Sequence, residues 1–243
     1  MGGVCFAKKL KTAFFLFAML FVSCGLDTFY YLEPPKTDGH TTKYTSTDRP
    51  QLYFSFLGTE VYYKIYNNYS TMVSAQSSID SLNSSSDVSA AATNIINSRN
   101  YKTLLFSSYN QTPLIPEKND DRYVYIRLNS IKGSSEYSAV VCYGTSAMES
   151  YVAGSSGITL IGKPLRNVSS GSGYGFDFKK TANGNPLPVS SDEDVNWSSS
   201  SEDGVWYVDM WAVSVGRDSS YSPSYSKLLH LGSISIREEW YDD

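Results

Sequence analysis

The sequence predicts a mainly β fold, an antiparallel β-sandwich with a short helical insertion around 70–98. Three observations support this prediction. Segments between Leu52 and Ile236 alternate apolar and polar residues with period two, which is typical of half-buried strands. Loop-like stretches rich in Ser, Asn and Gly separate these segments, and many short strands with turns between them favour a sandwich. Only the insertion shows helical spacing.

The strand predictions follow in chain order. Leu52–Phe56 and Val61–Tyr66 both alternate, and we predict that Gly58-Thr59-Glu60 connects them as a turn. Val205–Val215 is apolar on both faces, which is typical of a central strand. The remaining predicted strands are Tyr101–Ser107, Tyr123–Ile131, Tyr137–Tyr143, Ile158–Ile161, Tyr174–Phe178 and Leu228–Ile236.

The helical insertion contains two groups of apolar residues at helical spacing. We predict two short amphipathic helices packed on one side of the sheets. The two groups are Met72, Ala75, Ile79 and Leu82, then Val88, Ala91, Ile95 and Ile96.

The N-terminus has the pattern of a lipoprotein signal. Three lysines precede the apolar run Thr12–Val22, which ends in the relaxed lipobox Phe21-Val22-Ser23-Cys24. We therefore predict a signal peptide at 1–23, lipidation of Cys24, a tether at 24–28 and a single domain at 29–243. A transmembrane helix would need roughly 20 apolar residues, more than this run supplies. A cleaved but unlipidated secretory protein is the other alternative.

Charge and cysteine content narrow the function classes. Removing 1–23 takes away three lysines and no acids, which lowers the formal net charge from −4 to −7. We expect no nucleic-acid partner, because binding to nucleic acid would require clustered Lys and Arg. After processing, Cys142 is the remaining free thiol. Its apolar neighbours predict a buried strand residue, with intermolecular pairing as the alternative.

Residues for catalysis are scarce in this sequence. The two histidines are His40, in a polar segment, and His230, in an apolar strand that favours a structural role. The sequence contains no Gly-x-Ser-x-Gly motif to nominate a nucleophilic serine. We therefore expect neither an enzyme nor a cofactor.

Two loops are candidates for binding. Asp192, Asp194, Asn196 and Asp203 partly match a calcium loop, but Trp197 stands where the turn needs glycine, so we expect a solvated acidic loop and no metal. Tyr221 and Tyr225 lie in a Ser- and Tyr-rich loop that we expect to be exposed. Such a composition is typical of an adaptable recognition surface.

Both ends of the chain resemble known proteins. Trp206–Asp218, Ser222-Pro223 and Leu231–Ile236 resemble the last strands of fibronectin-III or immunoglobulin-like modules. Together with the lipobox and Leu32-Glu33-Pro34-Pro35, the chain resembles spirochaetal, treponeme-type lipoproteins. The resemblance implies a sandwich fold and an envelope location, on the outer membrane or the periplasmic face, and it implies no activity.

The expected function is a non-catalytic envelope lipoprotein that binds a protein or glycan ligand. The alternative is a structural or assembly component of the envelope, and a secreted hydrolase ranks third. The expected membrane contact is made through the N-terminal lipid.

Overall fold

The architecture is mainly β, with antiparallel sheets and few helices, as the sequence predicts. The computed structural model describes residues 32–36, 43–45, 55–107, 113–116, 122–126, 128, 139–143, 158–160, 163–169, 173–176, 178, 187–201, 203–218 and 220–237. The predicted signal peptide, Cys24, the tether 24–28 and His40 lie outside these residues. No helix among the described residues is long and apolar enough to cross a membrane.

The described residues form strands and helices in the following chain order. They are β1 Lys43–Thr45, β2 Ser55–Tyr66, α1 Tyr69–Asn83, α2 Ala90–Thr93 with a π-helical turn Asn94–Ser98, β3 Lys102–Thr103, β4 Leu105–Phe106, β5 Ile115–Pro116, β6 Arg122–Ile126, β7 Ala139–Tyr143, β8 Ile158–Leu160, β9 Pro164–Leu165, β10 Val195–Asn196, β11 Val205–Arg217, β12 Pro223–Tyr225 and β13 Leu229–Arg237.

Two long antiparallel strands form the centre of the main sheet. β2 and β11 pair from Tyr66↔Tyr207 to Ser55↔Arg217. β13 and β12 extend the sheet beyond β11, while β3, β5 and the parallel strand β10 pair with the other edge of β2. The prediction of a central strand at Val205–Val215 is confirmed.

The predicted turn at Gly58-Thr59-Glu60 is wrong, because β2 runs through it as one strand. Gly58 has φ 140°, and the register with β11 shifts between Val215 and Gly216. Glycine adopts this backbone conformation without a Cβ clash, so here it permits a β-bulge. Glycine is also common in turns, which is why the sequence pattern predicted a turn here.

The helical insertion is confirmed. α1 begins after Asn68, whose side-chain oxygen accepts a hydrogen bond from the Thr71 amide at 2.9 Å, an N-cap that satisfies one otherwise unpaired donor. Met72, Ala75 and Ile79 form the buried stripe of α1. The second helical segment combines α2 with its π-helical turn and buries Ala91, Ala92 and Ile95.

Alternation places a core on each face of the main sheet. Tyr62, Trp211 and Val213 pack under the two helical segments. The opposite face packs against an aromatic and aliphatic layer. That layer includes Val61, Tyr63, Ile65, Val208, Met210, Phe176 and Phe178.

The other predicted strands have mixed outcomes. β1, β6, β7 and β8 form a second antiparallel sheet, in which Cys142 of β7 pairs with Tyr123 of β6. The predicted strand at Tyr174–Phe178 is not found as such: residues 174–176 are irregular, and Phe178 forms an isolated β-bridge. Phe176 and Phe178 of this segment contribute buried rings at 6.3 Å from each other.

Candidate functional site

The buried carboxylate of Asp209 organises the helix-covered side of β11. Its Oδ1 accepts hydrogen bonds from Gln76 Nε2 of α1 and from His230 Nε2 of β13, both at 2.8 Å. Its Oδ2 accepts from Tyr101 Oη at 2.8 Å and from Trp211 Nε1 at 2.7 Å. Four donors therefore satisfy a carboxylate that has no solvent exposure.

His230 is held in one orientation at the edge of this cluster. Its ring stacks on Trp211, with ring centroids 4.3 Å apart and planes at 29°, and its side chain is 34% exposed. Because a carboxylate can only accept, the hydrogen bond to Asp209 places the proton on Nε2. When the imidazole is neutral, Nδ1 is therefore an acceptor, and no described residue donates to it.

Gln76 is fixed by the same carboxylate. Its Nε2 must be the donor to Asp209, so its Oε1 is a second oriented acceptor. No donor to that oxygen is present among the described residues. Two acceptors on neighbouring elements are thus pre-oriented by one buried group.

Two buried phenols form a chain of hydrogen bonds that ends at Asp209. Tyr66 Oη lies 2.9 Å from Tyr101 Oη, which donates to Asp209. Burial, followed by the nearby Asp209 charge, raises the pKa of Tyr101 far above its usual value, and burial also raises the pKa of Tyr66. Both phenols therefore stay protonated and act as donors.

An exposed aromatic pair continues the same surface. The Tyr69 ring of α1 is 53% exposed and lies 5.3 Å from the Tyr207 ring of β11 at an interplanar angle of 56°. Tyr69, Val73 and Gln76 are spaced to share one side of α1. We name this surface the α1–β13 face. Its residues are Tyr69, Val73 and Gln76 of α1, Tyr207, Asp209 and Trp211 of β11, and His230, Ser233 and Ser235 of β13.

The β13 side of the face is defined by strand register. Ser233 pairs with Asp209 and Ser235 pairs with Tyr207, and both serines are exposed. Cross-strand partners point to the same side of a sheet, so these hydroxyls lie beside the aromatic and carboxylate groups. The face therefore combines exposed rings, hydroxyls and two oriented acceptors.

The acidic loop that partly matches a calcium site is bound by the guanidinium of Arg166. Arg166 donates from Nε and Nη2 to both oxygens of Asp194, at 2.9 and 2.7 Å, and from Nη2 to Asp192 at 2.7 Å. Burial lowers the pKa of Arg166, but hydrogen bonds and charge from Asp194 and Asp192 outweigh this and raise it above its usual value. Tyr63 Oη also donates to Asp194 at 2.8 Å.

This geometry corrects the expectation of a solvated acidic loop. Asp194 is fully buried, because Arg166 compensates its charge, whereas Asn196 and Asp203 are exposed. No group of three or more His, Cys, Asp and Glu side chains in the described part of the chain is placed to hold a metal ion.

The predicted aromatic loop presents one exposed ring. Tyr221 is 78% exposed and has φ 63°, in a turn where the Asp218 carboxylate accepts from the amides of Ser220 and Ser222. Tyr225 is partly exposed, less than expected, and packs against the helix-side core. β12 pairs at the Arg217 end of β11, opposite the Tyr207 end that contacts Tyr69.

Sequence reasoning missed most of the α1–β13 face. It treated His230 as a structural strand residue and did not select Asp209, Gln76, Tyr69 or Tyr101. One signal was present, because Asp209 is the single carboxylate in the mainly apolar run Val205–Val215. A carboxylate placed in a central strand needs buried partners, which marks a polar cluster.

Comparison with protein-family models, curated proteins and solved structures finds no match for this chain. A functional argument therefore depends on the chemistry of the site. The α1–β13 face offers polar side-chain atoms and aromatic rings at the surface, with its carboxylate buried beneath them. Such a combination of rings and oriented polar groups can bind and orient a ligand.

Proposed function

We propose that this protein is a non-catalytic bacterial envelope lipoprotein, anchored through a lipid on Cys24, that binds a ligand at the α1–β13 face. The observation that carries the binding role is the pair of oriented acceptors, Nδ1 of His230 and Oε1 of Gln76, fixed by buried Asp209 beside the exposed ring of Tyr69. Preorganised polar groups reduce the ordering cost of binding.

The contacts of His230 support binding over hydrolysis. An imidazole acting as a general base needs a nucleophile within hydrogen-bond reach. The described contacts of this ring are to Asp209, Gln76 and Trp211, none of which carries a nucleophilic hydroxyl or thiol. The ring is thus placed to contact a ligand instead of activating a serine.

A sandwich of the fibronectin-III or immunoglobulin type is part of the same proposal. The antiparallel pairing of β11 with β13 and the aromatic layer opposite the helices support it. The helical cover and the parallel pair β10–β2 would be additions to such a module. An experimental structure in which the β6–β7–β8 sheet does not pack against the β2–β11 sheet would contradict this part.

The anchor is tested with the full chain expressed with its own signal in a bacterium. The native protein should enter the detergent phase, and Cys24→Ala should move it to the aqueous phase. Cys142→Ala is the matched control and should stay in the detergent phase. Mass spectrometry that finds an unmodified mature N-terminus at another residue would contradict lipidation.

The binding role is tested by capture of envelope and host-matrix components with the full chain carrying Cys24→Ala. His230→Ala should reduce specific capture, because it removes an oriented acceptor, whereas Tyr221→Ala at the opposite end of the sheet should not. Capture that is unchanged by His230→Ala would contradict a binding role for this face and favour the structural alternative.

A further inference from the structure

The geometry points to an oligosaccharide of at least two sugar rings as the ligand of the α1–β13 face. This inference rests on the proposed binding function and narrows it to one chemical class. A pyranose presents an apolar ring face and a rim of hydroxyl groups. The α1–β13 face offers the complement of each, exposed rings at one end and oriented polar atoms at the other.

The aromatic end supplies the stacking surface. Tyr69 is 53% exposed, and Tyr207 holds its ring from one side at a centroid distance of 5.3 Å. A tyrosine presents a large rigid surface at a low entropic cost, and its hydroxyl remains able to hydrogen-bond. The contact with Tyr207 restrains this ring before any ligand binds.

The polar end supplies directional acceptors. Nδ1 of His230 and Oε1 of Gln76 are both oriented by Asp209, and no described residue donates to either. Hydroxyl groups of a sugar ring are donors that can pair with such acceptors. Exposed Ser233 and Ser235 add hydroxyls that donate or accept.

The length of the face sets the size of the ligand. Tyr69 and Gln76 are seven residues apart on α1, which at the helical rise corresponds to about 10 Å along the helix axis. A single pyranose ring is shorter than that span. The ligand must therefore contain two or more rings to use both ends.

Charge favours a neutral glycan. Asp209 is the carboxylate beneath the face, and it accepts hydrogen bonds from four side chains of the protein. An anionic ligand would be repelled by this buried negative charge and would bring no new hydrogen-bond donor to it. Neutral hydroxyl groups avoid that repulsion and still satisfy the two acceptors.

The test uses the full chain carrying Cys24→Ala on an array of neutral oligosaccharides, including N-acetylglucosamine oligomers and linear glucans, with sialylated and sulfated glycans alongside. We expect binding to neutral glycans of two or more rings. Tyr69→Ala and His230→Ala should each weaken it at least about tenfold. Tyr69→Phe should retain it, because stacking needs only the ring.

Matched controls keep the outcomes distinct. Tyr221→Ala removes a more exposed tyrosine at the other end of the sheet and should leave affinity unchanged. Melting temperatures of all variants exclude unfolding as the cause of a loss. Equal loss in Tyr221→Ala, or binding only of acidic glycans, would overturn the inference.

Failure of the inference and failure of the proposed function give different results. If no glycan binds but a purified protein ligand is bound in a His230-dependent manner, the sugar assignment is wrong and the binding function stands. If neither a glycan nor a protein binds in a His230-dependent manner, both are wrong.

Discussion

Arg166→Met should destabilise the protein strongly, because Arg166 compensates a buried charge. The Arg166 side chain is 1% exposed, and it provides three hydrogen bonds to Asp194 and Asp192. Asp194 has no exposure and, among the described residues, would keep only the Tyr63 hydroxyl as a side-chain donor. Breaking a buried ion pair from one side typically costs about 3–5 kcal/mol.

That loss is large relative to the total stability of a domain, about 5–15 kcal/mol. We expect the midpoint of urea unfolding to fall accordingly in the full chain carrying Cys24→Ala, measured by circular dichroism. Arg217→Met is the matched control, since Arg217 lies exposed at the end of β11, and it should cost less than about 0.5 kcal/mol.

A double variant separates charge from packing. Arg166→Met with Asp194→Leu removes the buried charge that the single variant leaves uncompensated. It should therefore be less destabilised than Arg166→Met alone by at least about 1 kcal/mol. A single variant that loses less than about 1 kcal/mol, or a double variant that is as unstable as the single one, would refute the reasoning.

Three further predictions follow from burial and charge. Cys142 should react with thiol reagents only after denaturation, as its apolar strand predicts, and rapid native labelling would favour an intermolecular role. Chelator should leave the melting temperature unchanged, because Arg166 compensates Asp192 and Asp194; a rise of several degrees on adding calcium would require a native-state site. Lys64 is buried, which lowers its pKa to about 8 from an unfolded value of 10.5. Between these two pH values the unfolded chain therefore binds more protons than the folded one. The free energy of unfolding should rise from about pH 8 to 10 relative to that of Lys64→Met. An equal change of melting temperature with pH in both proteins would contradict this.

Local sequence patterns predicted the elements well. The alternation in Val61–Tyr66 and Val205–Val215 and the helical spacing from Met72 reflect which side of each element faces the core. Such periodicity is a property of neighbouring residues, so one sequence is enough to read it. Gly58 shows the limit, because a bulge and a turn use the same residue type.

The site could not be predicted in the same way. Asp209 meets His230 because β11 and β13 pair in one register, and it meets Gln76 because α1 packs across that sheet. Tyr63 and Asp194 are 131 residues apart in the chain. Contacts across such separations depend on how elements pack, which periodicity does not encode.

The pairing of β2 with β11 has a consequence for how this chain folds. The two strands lie near opposite ends of the sequence, so β2 has no β11 partner until residue 205 and beyond are available. Until then β2, a strand of 12 residues that is largely apolar on both faces, lacks the partner on one of its edges. Late closure of this kind slows folding. A chain truncated before Val205 would leave that strand permanently open to aggregation.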